Sequence, residues 1–305
     1  MRMPSIARLA LVSLLACGLA VSGVQAQPVA KHHTGHPAGF AVAPQYGTTH
    51  VYVQPEEVDR FVSAFLATFG GHSTKQVVAT VTPTPSRTTS QLLQTPSGTV
   101  SLFGFQTPVP FPFGAERTGW LVTDLDAATR AAQIAGADVL VAPFPDPIGR
   151  DAVVQFPGGV NTQLYWHNAT PAYDAFQFVP EDRVYVSPAR IKDFLHAYLV
   201  FSHGHILSDR NVPGIEIGRK DETIRRVRIT SQFGRVTVFV TDGHLPYPYG
   251  REVTGYEVAD LAATLEHARN AGATVLVMPF NSEDRSSAMV QFPGGYIAEI
   301  HAIQH

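Results

Sequence analysis

The sequence predicts an α+β chain of four βαβββ modules, paired into two tandem domains with curled, mainly antiparallel sheets. Three observations predict it: an internal repeat spanning most of the chain, a matching order of strand and helix signals inside each half-copy, and one glycine-stopped amphipathic helix per module.

The repeat is legible in short motifs. Phe156-Pro157-Gly158-Gly159 returns as Phe292-Pro293-Gly294-Gly295, and Pro110-Phe111-Pro112-Phe113-Gly114 returns as Pro246-Tyr247-Pro248-Tyr249-Gly250. Val139 to Phe144 returns as Val275 to Phe280, all at an offset of 136 residues. Earlier motifs repeat at 133: Val51-Tyr52-Val53-Gln54-Pro55 as Val184-Tyr185-Val186-Ser187-Pro188, and Gly71-His72 as Gly204-His205. A three-residue insertion in the second copy reconciles the offsets. The domains are read as 48–168 and 181–303, joined by a linker at 169–180.

Within the first domain, Thr49 to Gln54 alternates polar and apolar residues as a strand does. Val58, Phe61, Val62, Phe65 and Leu66 then recur at helical spacing, and Gly70-Gly71 stops the helix. Three strand runs follow at 76–82, 90–95 and 99–105. The second module repeats the order: a strand at Trp120 to Thr123, Asp124 as N-cap, a helix ended by Gly136, then three more strands. The second domain does the same, with Asp260 as a cap and Gly272 as a stop. Two such modules are expected to curl into a half-open cup with helices on the outside.

The N-terminus reads as an export signal over residues 1–26. Arg2 and Arg8 precede an apolar run from Leu9 to Ala20, and Val24-Gln25-Ala26 offers small residues for cleavage after Ala26. That run is short of the about 20 apolar residues of a membrane span. The expected location is the periplasm or the exterior; the lipoprotein alternative at Cys17 is weaker because the chain stays apolar beyond it. Cys17 is the only cysteine, so a chain cleaved after Ala26 has no disulfide, thiol nucleophile or thiolate metal site. It also loses two arginines and no acids, leaving 20 basic and 25 acidic residues, a net charge of −5. No basic surplus favours nucleic acid. Residues 27–47 read as a flexible leader in which His32, His33 and His36 belong to a solvated tail rather than a metal site.

Gly255 to Asp260, leading into a helix, Ala271-Gly272-Ala273 before the strand Val275-Leu276-Val277, and Phe292-Pro293-Gly294-Gly295 before Ala298-Glu299-Ile300 resemble the vicinal oxygen chelate superfamily. This is the fold of glyoxalases, bleomycin-resistance proteins and extradiol dioxygenases. The resemblance implies a cup holding one divalent metal, with His on first strands and Glu on closing strands. Open metal positions would chelate two oxygens of a substrate.

Carried over by residue, the resemblance places His50 at the first-strand position of the first domain and Gln163 at its closing strand. The matching first-strand place in the second module falls near Arg117, which cannot ligate a metal. In the second domain Arg183 replaces the histidine, Val253 lies near the next first-strand place, and Glu299 keeps the closing carboxylate. The candidate metal ligands are therefore His50, Gln163 and Glu299, and neither domain keeps a full set. Glu299 and His301 share a strand face, so they are an acid/base candidate facing Arg183, or Glu299 simply pairs with that arginine. Arg117, Trp120, Tyr165, Arg183 and Tyr256 are the candidate ligand-binding residues, with Trp120 and Tyr256 more readily read as core. Two function classes follow. One is an exported protein that binds a small organic molecule in a cup with a degenerate metal site and no cofactor. The other is a metal-dependent lyase, isomerase or dioxygenase with a non-standard ligand set.

Overall fold

The computed structural model describes residues 39–304, which fall within one compact unit. The export signal and His32, His33 and His36 lie outside the described residues. No described helix is long and apolar enough to cross a membrane.

The first half opens with strand β1 (Gly47–Val53), helix α1 (Val58–Phe69) and strands β2 (His72–Ser73), β3 (Val77–Ala79), β4 (Thr88–Thr95) and β5 (Gly98–Phe105). Its second module is β6 (Thr118–Leu121), α2 (Leu125–Ala135), β7 (Asp138–Pro145), β8 (Gly149–Phe156) and β9 (Val160–His167). The second half repeats this as β10 (Glu181–Val186), α3 (Ile191–Ser202), β11 (His205–Gly214), β12 (Arg219–Ser231) and β13 (Gly234–Val240), then β14 (Val253–Glu257), α4 (Leu261–Asn270), β15 (Thr274–Ser282), β16 (Arg285–Gln291) and β17 (Ile297–Ile303).

Each half forms one sheet, so each cup lies within a half. The strand order is β2-β4-β5-β1-β6-β9-β8-β7 in the first, with β3 beside β4, and β11-β12-β13-β10-β14-β17-β16-β15 in the second. First and closing strands of a module pair in parallel, as β1 with β5 and β6 with β9; the other pairings are antiparallel.

Local chemistry explains the helix ends. The Asp124 carboxylate accepts from the Ala127 N–H at 2.9 Å, and Asp260 accepts from Ala263 at 3.0 Å. Each satisfies an amide that the first helical turn leaves without a partner. Gly136 then ends α2 in the left-handed conformation at φ 109°.

The expectation that helices cover the outside is corrected. α1 packs on α4 and α2 on α3, and each pair is buried in a core shared by both halves. Phe61 and Phe65 of α1 meet Tyr256, Phe292 and Tyr296 of the second half. Trp120 of the first half stacks on Phe233 of the second, with ring centroids 4.6 Å apart. A module offers one apolar helix stripe and one apolar sheet face; joining two halves back to back buries both. The repeated Phe-Pro-Gly-Gly turn serves that junction. A Cβ at Gly158 would meet Val186 at 2.9 Å, and one at Gly294 would meet Val53 at 2.5 Å, each across the halves. The concave faces are left pointing away from these cores.

Candidate functional site

Strand register identifies the residues that face each cup. His50 pairs with Ser101 across β1 and β5, and Gly119 pairs with Gln163 across β6 and β9. In the second half Arg183 pairs with Thr237 and Gly255 with Glu299. The four first-strand positions are therefore His50, Gly119, Arg183 and Gly255, and the four closing positions are Ser101, Gln163, Thr237 and Glu299. This corrects the placement near Arg117 and Val253: the true equivalents lie two residues further on, a slip that keeps the same strand face. Both are glycine because neighbouring side chains occupy the space. A Cβ on Gly119 would lie 2.4 Å from His50 Nε2, and one on Gly255 would lie 2.7 Å from Glu299 Oε2.

The first cup is open. A cavity of about 130 Å³ is lined by His50, Tyr52, Phe103, Asp151, Gln163 and Tyr165, among others. His50 is buried, and its Nδ1 lies 3.4 Å from Oε1 of the equally buried Glu116. Tyr52 donates its hydroxyl to the same carboxylate. Glu116 comes from the segment that leads into β6, and its other oxygen has no hydrogen-bond partner among the described residues. Nδ1 is thus the ring nitrogen that faces Glu116, and Nε2 is the atom above Gly119.

Asp151 on β8 is buried in the same cavity. Burial pushes its carboxyl well above the usual range; the charge of Asp146 adds to this, and the Gln163 amide opposes it. His167 is pulled down by burial, with Asp146 acting the other way. At the mouth, Tyr165 donates its hydroxyl to the Tyr46 carbonyl, and the ring of Tyr173, from the stretch between β9 and β10, packs on Tyr46 at 5.3 Å.

The second cup is closed by charged side chains. Arg183 donates to Glu181 at 2.9 Å and to Glu216 at 3.1 Å, and its guanidinium lies 4.8 Å over the Phe239 ring. Arg226 donates to Glu216, Arg285 donates to both oxygens of Glu181, and Ser282 donates to Glu216 at 2.8 Å. His301 Nδ1 lies 2.7 Å from Glu299 Oε2. Three arginines and three glutamates are thus buried together, so the formal charges balance. Burial alone raises the Glu299 carboxyl, but His301, Arg183 and Arg285 outweigh it and hold it down at about 2. Glu181 is lowered in the same way by Arg285 and Arg183 against its burial.

The sequence-derived site residues are distributed accordingly. His50, Gln163 and Tyr165 line the open cup. Arg183, Glu299 and His301 sit in the closed cluster, buried and engaged with one another. Trp120 and Tyr256 are corrected from ligand-binding to core: both are buried under the helices, Tyr256 sharing a hydrogen bond with Tyr296. Arg117 does not line the first cup; it borders a groove between the halves. Sequence reading missed Glu116 and Asp151. The repeat carried a signal for the first, since Glu116 returns as Glu252; Asp151 has only Ser287 at the equivalent place and no signal beyond being an acid in an apolar run.

The metal implied by the resemblance was tested against these donors. The first cup offers one imidazole, one neutral amide, one hydroxyl and a glycine at the four relevant positions. Glu299 belongs to the other cup and is engaged by His301 and Arg183, so it cannot join His50 and Gln163. Among the described residues no three His, Cys, Asp or Glu side chains are grouped as a metal site. These residues do not fit a tightly held divalent ion, which needs three or more convergent donors.

No protein-family model and no curated protein matches the sequence. Solved structures do match the fold. A variant of 4-hydroxymandelate synthase from Streptomyces coelicolor aligns with a TM-score of 0.58 at 15% identity, over 86% of this chain and 93% of that one. A 2,3-dioxygenase from a Pseudomonas strain aligns at 0.51 and 10% identity, over 88% and 94%. A Mn(II)-bound glyoxalase from Novosphingobium aromaticivorans aligns at 0.50 and 12% identity, over 86% and 82%. The chain therefore has the vicinal oxygen chelate fold, with four βαβββ modules in two curled sheets.

Proposed function

We propose that this is an exported protein that binds a compact, largely uncharged organic molecule in its first cup. The observation that carries the reading is the 130 Å³ cavity in one half against the ion-filled cup in the other. An apolar cavity of about 150 Å³ holds a ligand the size of one aromatic ring. Phe103, Phe113 and Leu92 offer such a ring apolar walls, while Gln163, Asp151 and Tyr165 offer a few polar contacts to orient it. Burial favours the neutral form of Asp151, which presents an O–H donor rather than a charge and suits a carbonyl, phenol or ether oxygen.

The test is a thermal-shift screen of single-ring aromatic and carbonyl compounds, with Ser101→Phe as the control that fills the cavity. Stabilisation by a compound, lost in Ser101→Phe and indifferent to chelator, supports the reading. Hits that survive Ser101→Phe place binding elsewhere.

A second reading, as an enzyme of the isomerase or lyase class, rests on the Glu116–His50 pair. With Nδ1 committed to Glu116, His50 Nε2 can take a proton from a bound molecule, and a protonated Asp151 can return one. Solved neighbours of the fold are named as a synthase, a dioxygenase and a glyoxalase, which supports an enzymatic reading, while the donor set argues against metal chemistry here. Exchange of a ligand C–H in heavy water, abolished in His50→Gln with binding retained, decides for this reading; equal exchange in both proteins decides against it.

A further inference from the structure

A groove runs along the junction of the two halves, beside the first cup, with which it shares Tyr52. One lobe, of about 140 Å³, is lined by Tyr52, Gly294, Gly295 and Tyr296; the other, of about 410 Å³, is lined by Tyr185, Gly159 and Val160. These linings are copies of each other under the repeat, Tyr52 matching Tyr185 and Gly295 matching Gly159. Arg117, Arg251 and Glu252 border both lobes.

The two arginines break the repeat. Val253 stands where the second copy would place Arg117, and Ala115 stands where the first copy would place Arg251. They are therefore additions to the module frame rather than part of it. Most other arginines among the described residues are paired, as Arg150 with Asp126, Arg225 with Asp209 and Arg235 with Glu257; Arg87, Arg130 and Arg269 are not, but none of these three borders the groove. Among the described residues Arg117 and Arg251 have no ion-pair partner.

We propose that this groove is a binding site for a small oxyanion or carboxylate compound, held between Arg117 and Arg251. Guanidinium groups suit such ligands through paired, charge-assisted hydrogen bonds. Glycine turns on both lobes let a ligand approach the main chain closely. The groove's own acid, Glu252, does not cancel the charge at neutral pH. Burial, then the charge of Asp182, raises the Glu252 carboxyl to about 8, with Arg117 acting against them and Glu116 with them. Asp182, outside the groove, is raised to about 7 by burial, with Thr118 acting against this and Glu181 with it, and Thr118 donates to Glu252 at 3.5 Å. Protonated Glu252 adds a donor; ionised Glu252 repels the anion. Affinity therefore falls as pH rises through the Glu252 transition.

The test is calorimetric titration of the full chain with inorganic phosphate and with succinate at constant ionic strength. One saturable site is expected, weakened about tenfold by Arg117→Gln or by Arg251→Gln, the loss of one charge-assisted contact. The cup-filling Ser101→Phe leaves it unchanged, which separates this site from the first cup. Succinate is almost fully ionised between about pH 7 and about pH 8.5, so its affinity should fall across that range in the unaltered chain and fall less in Glu252→Gln, where Asp182 alone still titrates. Absence of saturable heat with both anions, or binding that persists in the Arg117→Gln/Arg251→Gln double variant, overturns the proposal.

Discussion

The first and second cups share one strand register and are filled in opposite ways. At the equivalent first-strand position, one has His50 beside a cavity and the other has Arg183 inside a cage of glutamates. At the equivalent closing position, one has a neutral Gln163 and the other an ionised Glu299. Duplication makes two cups, but a large charged side chain in a cup requires counter-charges, and each counter-charge removes space. The second cup has become a polar core, while the first has kept room for a guest and an acid that burial favours uncharged.

The comparison can be broken most forcefully at Glu216, which accepts from Arg183, Arg226 and Ser282. Glu216→Ala leaves two buried arginines short of a partner and should cost about 3–5 kcal/mol in urea denaturation. A loss under about 1 kcal/mol would mean that the cluster is solvated and the second cup open. Replacing Trp120 by Ala should cost a similar about 3–5 kcal/mol, because its ring joins the two halves.

The glycines sharpen the contrast. Gly119→Ala and Gly255→Ala both force a clash, at an expected about 1–3 kcal/mol. His50 borders a cavity it can shift into, whereas Glu299 is held by His301 and Arg183, so Gly255→Ala should be the more damaging. Equal costs would argue that the first cup is as rigid as the second.

The pH dependences run in opposite directions. Glu299 is held at about 2, below its usual value, so its contribution is fully present above the unfolded pKa and is lost as pH falls from about 4.5 to about 2. Asp151 is raised, so the folded state is penalised as pH climbs above the unfolded pKa toward the folded one. Asp151→Asn should therefore stabilise the protein more at about pH 8 than at about pH 4, and Glu299→Gln should flatten the acid limb. The smallest effect is expected for Tyr173→Ala at the cup mouth: under about 1 kcal/mol in stability, with faster ligand release in a stopped-flow displacement.

Much of the fold was legible because local chemistry carries it. Asp124 and Asp260 cap helices by bonds to residues three positions away, and Gly136 ends one by a backbone conformation that needs no Cβ. The site was only half legible. His50 and Gln163 were carried over from the family resemblance and Tyr165 from sharing a strand face with Gln163, and the three line one cavity. Trp120 differs by one strand position from Gly119, and that single step separates core from cup; only the pairing of Gly119 with Gln163 shows which face is which. Arg117 was placed two residues from the glycine that holds the equivalent position, since short strands look alike at either register.

The sequence by itself determined the duplication, the module order and the helix boundaries, because each depends on residue identity at fixed local spacing. Tertiary structure alone decided that the helices pack between the halves, that one cup is filled and the other open, and that Glu116 and Asp151 join His50. Those outcomes depend on contacts between residues tens to hundreds of positions apart, where burial and counter-charge, rather than local pattern, set what each side chain does.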